Sequence, residues 1–436
     1  MDPILLGSLL IVAMIVIVAL GVPVGLSMAG IGFLGMWALS GLPFALGTFM
    51  TLPYSIASQY SFAVVPMFVL MGAFAATSGM TAELYTAAYR LLSGIRGSLY
   101  YTTVLASAAF GAVSGSTVVA GAVFTRMALP EMIRFGYKRS VSAGCIAAAG
   151  TFAALIPPSI SMAIYGILTG ESIGSLLMAG LIPGLFTAVA YLLGIRLGLQ
   201  IKPRWAPPAD KRYSGAEILQ SFRGLWAVCL LVVIVLGGIY TGVMPPSAAG
   251  TAGAMGALLI CLARRKLGKS EFQGALGQTV SVTASLFMII IGGMLFTRLL
   301  LNVGFINDIT DFVETAGFGP VHFFAFVIVM YLILGCFIDT VSMMVMTVPF
   351  LYPVLKSLGL DPIWFGVIVI KLVEISAITP PVGLNLFAVI GAAGGKVKTE
   401  EVYAGVLPFV LIELVVLGVL VAFPQMSLWL PQMMIK

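Results

Sequence analysis

Charged residues are scarce in this sequence. Asp, Glu, Lys and Arg make up 9% of the 436 residues, whereas a soluble domain carries roughly 25%. Hydrophobic residues make up 60%, and the mean hydropathy is +1.12. This composition predicts a polytopic membrane protein in the lipid bilayer, long enough for about ten spanning helices of ~20 residues. The net charge of +6 is then attributed to basic loops on one side of the membrane, and no nucleic-acid partner is expected.

Residues and motifs of enzymes are also missing. His322 is the only histidine, and the four cysteines are far apart in sequence, with no Cys-x-x-Cys pair. The His-Glu-x-x-His, Gly-x-Ser-x-Gly and dinucleotide-binding glycine patterns do not occur. The sequence therefore predicts neither an enzyme nor a protein with an organic cofactor. The N-terminus lacks the basic residues of a cleaved signal peptide, so the first apolar run is expected to remain as a helix.

Two apolar runs each contain a pair of adjacent prolines, in residues 156–159 (Ile-Pro-Pro-Ser) and 378–381 (Ile-Thr-Pro-Pro). Two prolines remove two N–H donors and disfavour the helical conformation of the preceding residue. Each run is therefore predicted to be two half-helices joined by an unwound break, which membranes tolerate where it lines a cavity or site. We expect Thr379 to be the N-cap of the half-helix after the second break. The first break has Ile156 at that place, so its free amides need Ser159, water or a ligand, and this break is expected to be the one that contacts a carboxylate.

Prolines and glycines also show that the chain is duplicated. Five pairs recur in order with an offset of 223 or 220 residues: Pro157/Pro380, Pro130/Pro353, Gly136/Gly359, Gly30/Gly250 and Gly72/Gly292. The first repeat is predicted at 1–198, with scaffold helices in 1–97 (apolar runs near 4–20, 25–42 and 60–79), a hairpin and broken helix in 98–170, and a closing helix at 173–198. Residues 199–223 form a cytoplasmic linker. The second repeat is predicted at 224–436, with scaffold helices in 224–301, a hairpin and broken helix in 319–393, and a closing helix at 402–424.

The distribution of basic residues sets the predicted orientation. If residues 99–125 and 319–355 are re-entrant hairpins, each half crosses the membrane five times and the halves are inverted. With the N-terminus outside, most of the 22 lysines and arginines then lie in inner loops, as the positive-inside rule requires. The predicted fold is an all-α membrane protein of two inverted halves, with about ten spanning segments, two re-entrant helical hairpins and two broken helices.

The centres of the two hairpins are polar. The first contains residues 114–117 (Ser-Gly-Ser-Thr), and Asp339 stands at the place in the second hairpin that corresponds to Ser116. An ionisable residue at membrane depth indicates a functional site. Two hairpin tips with two broken helices resemble the midplane sites of secondary transporters, where carbonyls coordinate sodium and half-helix N-termini face anions. Lys371 and Glu374 either neutralise each other at i, i+3 or place Glu374 near a cation.

Five motifs together resemble one family: residues 114–116 (Ser-Gly-Ser), 129–132 (Leu-Pro-Glu-Met), 156–159 (Ile-Pro-Pro-Ser), 181–184 (Leu-Ile-Pro-Gly) and 378–385 (Ile-Thr-Pro-Pro-Val-Gly-Leu-Asn). Over essentially its whole length the chain resembles the large membrane (M) subunit of tripartite ATP-independent periplasmic (TRAP) transporters. The resemblance implies sodium-coupled import of organic anions by an elevator mechanism in the bacterial inner membrane. It also implies two partners, a periplasmic substrate-binding protein and a small four-helix membrane subunit, here expected as a separate chain. Many relatives carry an aspartate shortly after the Ser-Gly-Ser tip, whereas this chain has residues 118–120 (Val-Val-Ala).

The repeat and the resemblance define two candidate sets of site residues. The sodium-binding set is Ser114, Gly115, Ser116, Thr117, Gly150, Thr151, Gly335, Asp339, Thr340, Glu374 and Thr379. The substrate-binding set is Ser114, Ser116, Pro157, Pro158, Ser159, Thr340, Ser342, Pro380, Pro381 and Asn385. The expected substrate is a dicarboxylate, sialic acid or another carboxylate. A stand-alone sodium–carboxylate symporter and a channel are the alternative functions.

Overall fold

The computed structural model describes residues 2–209, 212–335, 337–381 and 383–434. Throughout these ranges the regular structure is helical and no strand occurs, which confirms the all-α prediction. Six helices are long and apolar enough to span a membrane, or seven if one bent pair counts as a span. The count of about ten spans stays a prediction. Cys336 of the second hairpin and Val382 of the second break lie outside the described residues.

The scaffold region of the first half contains five helices rather than the three apolar runs of the sequence. They are α1 (Pro3–Ala19), α2 (Val24–Ser40), α3 (Leu42–Ala57), α4 (Val64–Thr77), preceded by a 3₁₀ turn at Tyr60–Ala63, and α5 (Met80–Leu92). The sequence failed to predict α3 and α5 for an identifiable reason. Helix α5 is amphipathic and carries Glu83 in its first turn and Arg90 in its last, and α3 contains Pro53, so neither reads as an uninterrupted apolar run.

The first hairpin and broken helix follow as predicted in outline. Their helices are α6 (Ser98–Ser114), α7 (Thr117–Arg134), α8 (Arg139–Gly150), α9 (Phe152–Leu155), α10 (Ile160–Thr169) and the long closing helix α11 (Ile173–Ile201). The chain bends by 43° between α9 and α10, at the first proline pair. The broken helix that the two prolines predict is therefore present.

The segment between the halves is held against the first half. A 3₁₀ turn at Pro203–Trp205 follows α11. The Arg96 side chain donates to the Pro203 carbonyl at 2.6 Å, and Tyr100 OH donates to the Trp205 carbonyl at 2.8 Å. The start of this linker is thus anchored by side chains, although its sequence is the longest polar stretch of the chain.

The second half starts with one long helical rod and repeats the pattern of the first. Its helices are α12 (Gly215–Phe222), α13 (Trp226–Val232), α14 (Gly238–Tyr240), α15 (Pro246–Ala263), α16 (Lys269–Val303), α17 (Phe305–Thr315), α18 (Pro320–Leu334), α19 (Thr340–Ser357), α20 (Pro362–Ile378), α21 (Leu384–Ala393), α22 (Thr399–Ala422) and α23 (Gln425–Gln432). A 3₁₀ turn at Arg223–Leu225 and a π-helical turn at Val233–Gly237 connect α12, α13 and α14.

Helix boundaries recur at the offset that the prolines predicted. Helices α7 and α19 begin at Thr117 and Thr340, 223 residues apart, and end at Arg134 and Ser357, again 223 apart. Helices α8 and α20 also begin 223 residues apart. The second arm of each hairpin and the broken helix after it therefore correspond between the halves. Their inverted orientation in a membrane stays a prediction.

The two halves interlock around a buried centre. Helix α7 of the first hairpin packs on α21, which follows the second break, and α10, which follows the first break, packs on α19 of the second hairpin. The Tyr165 hydroxyl of α10 donates to the Pro362 carbonyl at the start of α20, at 2.8 Å. Helix α20 is buried along its whole length from Trp364 to Ile378. The hairpins and broken helices of both halves thus form one core.

Candidate functional site

The first hairpin turns at a two-residue tip. Helix α6 ends at Ser114, and Gly115 adopts a left-handed conformation with φ +61°, which glycine takes without strain. Ser116 is the N-cap of α7, and its Oγ accepts from the Val119 amide at 3.5 Å. The Ser-Gly-Ser sequence therefore builds the reversal itself, which leaves Ser114 at the end of one arm and Thr117 at the start of the other.

This tip rests directly on the first break. A Cβ built on Gly115 would lie 2.9 Å from the Pro158 carbonyl oxygen, so only glycine permits the approach. A Cβ on Gly150 of α8 would lie 3.2 Å from the Thr117 carbonyl oxygen. The structure thus brings together the predicted group of Ser114, Gly115, Ser116, Thr117, Gly150 and Pro158. Thr151, next to Gly150, is buried and donates to the Ala148 carbonyl at 2.8 Å.

The first break is capped by its own serine. Ser159 is the N-cap of α10, and its Oγ accepts from the Met162 amide at 3.1 Å while donating to the Ala154 carbonyl. Both half-helices are therefore tied to one hydroxyl. Of the three partners expected for the amides of the first break (Ser159, water or a ligand), the structure has Ser159, which follows the proline pair. A carboxylate contact at this break stays a prediction.

The second break is not capped in the predicted way. Thr379 ends α20, and its hydroxyl donates backwards to the Ile375 carbonyl at 2.6 Å. Helix α21 begins only at Leu384, and its N-cap Gly383 supplies no side-chain hydrogen bond. The N-cap assignment of Thr379 is therefore wrong, since Thr379 is the C-cap of α20 and α21 begins five residues later. The second break, rather than the first, presents uncapped amides.

Two other helices contact the second break or the helix before it. The Tyr403 hydroxyl of α22 donates to the Pro381 carbonyl. In the second hairpin, Gly335 lies against Ser376 of α20, so closely that a Cβ on Gly335 would overlap that side chain. Ser376 also donates to the Tyr331 carbonyl of α18 at 2.9 Å. The end of α18, the first arm of the second hairpin, is thus in contact with α20, the helix before the break.

Asp339 begins the second arm of this hairpin. It is the N-cap of α19, and its Oδ2 accepts from the Val341 and Ser342 amides, both at 3.1 Å. The carboxylate is partly exposed, as is Thr340 beside it. The hydrogen bonds described for Asp339 stay within its own hairpin, and none joins it to Thr379. Its negative charge at the tip suits a cation.

Three residues of the predicted substrate set carry buried polar atoms that lack a hydrogen-bond partner among the described residues. They are Ser114 Oγ at the first tip, Ser342 Oγ in the first turn of α19, and both Oδ1 and Nδ2 of Asn385 in the first turn of α21. A buried polar group without a partner destabilises a fold by about 1–3 kcal/mol. Such groups in a native structure point to a ligand or water that completes them. They mark both hairpins and the second break as the candidate site.

Glu374 lies elsewhere. Its Oε2 forms an ion pair with Lys371 Nζ at 2.9 Å on the same face of α20, and Lys371 also pairs with Glu413 of α22. The sequence left two alternatives open: Lys371 and Glu374 neutralise each other, or Glu374 lies near a bound cation. The structure has the ion pair between Lys371 and Glu374. We therefore assign Glu374 to a buried ion cluster and not to the sodium site.

Sequence reasoning missed two members of this cluster, Glu413 and Tyr191, whose hydroxyl donates to the Glu413 carboxylate. Glu413 is a charged residue in the middle of the apolar run at 402–424, a signal that the sequence did offer. Tyr191 gave no signal, because a tyrosine in an apolar helix is commonplace. In the part of the chain that the structure describes, no three His, Cys, Asp or Glu side chains form a metal-binding group.

Comparison with known proteins decides the family. The sequence profile of the family described as "Tripartite ATP-independent periplasmic transporter, DctM component" matches residues 11–426. This chain belongs to that family. The resemblance that the five motifs carried is thereby confirmed.

Two relatives of this TRAP subunit show the same family. This chain is 36% identical over 380 residues to the C4-dicarboxylate TRAP transporter large permease protein DctM of Pseudomonas aeruginosa, and the match covers 87% of this chain and 88% of that protein. It is 32% identical over 433 residues to the ectoine/5-hydroxyectoine TRAP transporter large permease protein UehC of Ruegeria pomeroyi, with 98% of each covered. The prediction of a transporter subunit rather than an enzyme is confirmed.

A solved structure shares the fold of this TRAP subunit. The YdaH transporter of Alcanivorax borkumensis, whose crystal structure was described as having an unusual topology, superposes with a TM-score of 0.64 over 90% of this chain and 91% of that one. The two sequences are 14% identical. The similarity therefore concerns the fold alone.

Proposed function

We propose that this TRAP large permease translocates small organic anions across the bacterial inner membrane, driven by sodium. A periplasmic binding protein delivers the anion, and a separate four-helix membrane subunit extends the scaffold. The observation that carries the proposal is the set of buried polar atoms at Ser114, Ser342 and Asn385 that lack a partner among the described residues. They belong to the tips of the two hairpins and to the start of the helix after the second break, the kind of elements that secondary transporters use for ions and substrates.

The anion occupies the space between the tips and the two breaks. Its carboxylate is proposed to bind at the start of α21, where Gly383 leaves the helix amides uncapped and the Asn385 amide has no partner among the described residues. The positive end of a helix favours an anion there. The relatives in Pseudomonas aeruginosa and Ruegeria pomeroyi are named for C4-dicarboxylates and for ectoines, so the proposed substrate class is small solutes that carry a carboxylate.

Sodium binds at the two hairpin tips. Around the first tip the available ligands are hydroxyls and carbonyls, from Ser114, Ser116, Thr117 and Gly150, which are hard oxygen donors that suit an alkali cation. At the second, Asp339 adds a full negative charge beside Thr340. Because the first tip is followed by residues 118–120 (Val-Val-Ala), where many relatives carry an aspartate, the second tip is proposed as the tighter sodium site. Both tips belong to the interlocked core, which is proposed to move as a unit against the scaffold helices α1–α5 and α12–α16.

Replacing Asn385 with leucine tests the substrate site. Leucine has the same number of side-chain heavy atoms in the same branched arrangement and removes the unpartnered amide, so Asn385→Leu is expected to preserve thermal stability while abolishing anion uptake. Uptake is measured in proteoliposomes that contain the whole complex, with binding protein and a sodium gradient. Asn302→Leu is the matched control, since Asn302 is exposed and its amide donates to Ser40 at 2.6 Å on the surface.

Two results would contradict the proposal. Uptake that persists in Asn385→Leu removes this residue from the site. A loss of uptake that accompanies a large drop in stability shows instead that Asn385 has a structural role. Uptake without any binding protein would favour a stand-alone symporter.

A further inference from the structure

Three charged side chains are buried together behind the second break, between α11, α20 and α22. Lys371 and Glu374 lie on α20 and are 0% and 2% exposed, and Glu413 on α22 is 0% exposed. Among the described residues, they are the only charged side chains that are buried. Within the described ranges, no other buried charged side chain balances these three.

The contacts of Lys371 identify it as an ammonium. Its Nζ lies 3.0 Å from Thr187 Oγ1, 2.9 Å from Glu374 Oε2 and in an ion pair with Glu413. An ammonium has three N–H donors and no acceptor. Here it donates two hydrogen bonds, to Thr187 and Glu374, and pairs by charge with Glu413. Thr187 accepts freely here, because its own hydroxyl hydrogen is donated to the Pro183 carbonyl at 2.8 Å.

The two glutamates have different surroundings. One carboxylate oxygen of Glu413 accepts from the Tyr191 hydroxyl and the other faces Lys371. Glu413 Oε2 accepts no hydrogen bond among the described residues, but it is in direct ion-pair contact with the Lys371 ammonium, which is the environment of an ionised carboxylate. Glu374 has Lys371 on Oε2, but its Oε1 is buried without a hydrogen-bond partner among the described residues.

The cluster therefore carries one negative charge too many if both glutamates are ionised. Three groups that can carry charge surround Glu374: Lys371 on its own helix, Glu413 on α22 and, beyond it, the Tyr191 phenol on α11. The Tyr191 ring packs between Phe152 of α9 and Phe409 of α22, with ring centroids 5.3 Å from each. These aromatic rings add an apolar wall and no charge. An uncompensated charge in such an environment is strongly unfavourable, and a buried group neutralises itself instead.

We propose that this cluster is a proton-binding site, and that Glu374 carries the proton on Oε1. The O–H bond forms with a proton from water, and the carboxylate becomes a neutral acid. Lys371 and Glu413 then balance each other, and the cluster is neutral. A metal ion would need several oxygen ligands around it, whereas a proton needs only the single oxygen that lacks a partner.

The proton links three helices of the core. The cluster joins α11 of the first half to α20 and α22 of the second, and Glu374 lies one helical turn before Ile378, where α20 ends. Loss of the proton leaves two carboxylates competing for one lysine and pushes α20 and α22 apart. The site thus makes the packing around the second break sensitive to pH, independently of which ion or anion is transported.

Infrared spectroscopy of the purified full-length protein tests the proposal directly. A buried protonated carboxyl group gives a carbonyl stretching band above the amide region that shifts in D₂O. We expect this band in the wild type and its loss in Glu374→Gln, which replaces the acid with a neutral group of the same shape. Glu271→Gln, at an exposed glutamate, should leave the band unchanged. A wild type without the band, or a band that persists in Glu374→Gln, overturns the proposal.

A second variant and a second measurement cover the case in which Glu374→Gln does not fold. Glu413→Gln also removes the surplus charge, so it too should lose the band as Glu374 ionises against Lys371. In the wild type, the thermal unfolding temperature should fall as the buffer is raised from mildly acidic to alkaline pH. In either Gln variant this fall should be lost, and an unchanged pH profile in a folded variant counts against the proton site.

Discussion

At the scale of single residues, a side chain at a break takes whichever backbone group its geometry reaches. Thr379 and Ser159 both flank a proline pair, yet Thr379 donates back to Ile375 and Ser159 caps the helix ahead. The sequence shows that a hydroxyl stands at each break, but it does not predict the direction of the hydrogen bond that this hydroxyl makes. That direction depends on the side of the proline pair on which the hydroxyl stands: Ser159 follows its pair and directly precedes α10, whereas Thr379 precedes its pair and ends α20. In this chain α10 begins two residues after Pro158, whereas α21 begins three residues after Pro381.

The charge of Asp339 gives a prediction at this scale. Asp339→Asn keeps an N-cap side chain at the start of α19 but removes the charge from the second tip. We expect the half-saturating sodium concentration for uptake to rise roughly tenfold, equivalent to ~1.4 kcal/mol, with little change in thermal stability. Sodium titration of uptake in proteoliposomes measures it.

Asp361→Asn is the matched control for this variant. Asp361 caps α20 in the same way, with its Oδ1 accepting from Ile363 and Trp364 at 2.8 and 3.0 Å, but it is exposed at the surface. Its sodium dependence should stay at the wild-type value. Equal sodium dependence in Asp339→Asn and the wild type would remove Asp339 from the proposed site.

At the scale of helices, close crossings depend on glycines. Helices α8 and α22 cross where Gly144 and Gly405 meet, and a Cβ on either would overlap the backbone of the other helix. Small residues that let two helices approach are the usual means of packing in membranes, where lipid is as apolar as the helix surface. The sequence repeat identified glycines that recur between the two halves at a nearly constant offset. This crossing joins two glycines that are 261 positions apart, so it could be recognised only in the tertiary structure.

A pair of variants in one helix tests this crossing. Gly405→Ala should lower thermal stability by about 1–3 kcal/mol, because the added methyl group has no room. Gly418→Ala, in the same helix but with nothing within 4 Å of its Cβ position, should be neutral or stabilising by up to about 1 kcal/mol. Thermal unfolding of both proteins in the same detergent measures the difference. Equal melting temperatures of the two variants would show that α8 and α22 can move apart to fit the methyl group without loss of stability.

At the scale of the whole molecule, the sequence predicted the transport core better than the scaffold. Proline pairs, hairpin tips and the 223-residue offset identified the helices of the core, because breaks and turns need particular residues. The scaffold helices α3 and α5 were missed, since hydropathy alone does not separate short or amphipathic helices from loops. The ion cluster could be predicted only in part. Lys371 and Glu374 are three residues apart on one helix, so their pairing can be predicted from the sequence, whereas Glu413 comes from another helix.

The orientation of the whole chain gives the last prediction. The distribution of lysine and arginine places Glu314 of α17 outside and Gln220 of α12 inside. In a variant free of native cysteines, Glu314→Cys should react with a membrane-impermeant maleimide in intact spheroplasts. Gln220→Cys should react only after the membrane is permeabilised. Both positions are exposed, and the reverse pattern of labelling would invert the proposed topology.

The packing of α10 on the second half has a consequence for biosynthesis. Tyr165 donates to Pro362, a residue 197 positions later in the chain, and Gly366 packs against the same tyrosine ring. Since the N-terminal part of a chain is made first, the first hairpin and broken helix enter the membrane long before their partners exist. The ribosome must add roughly half of the protein before that surface is covered. The face of α10 that packs on α20 therefore has no partner helix until the second half has been synthesised.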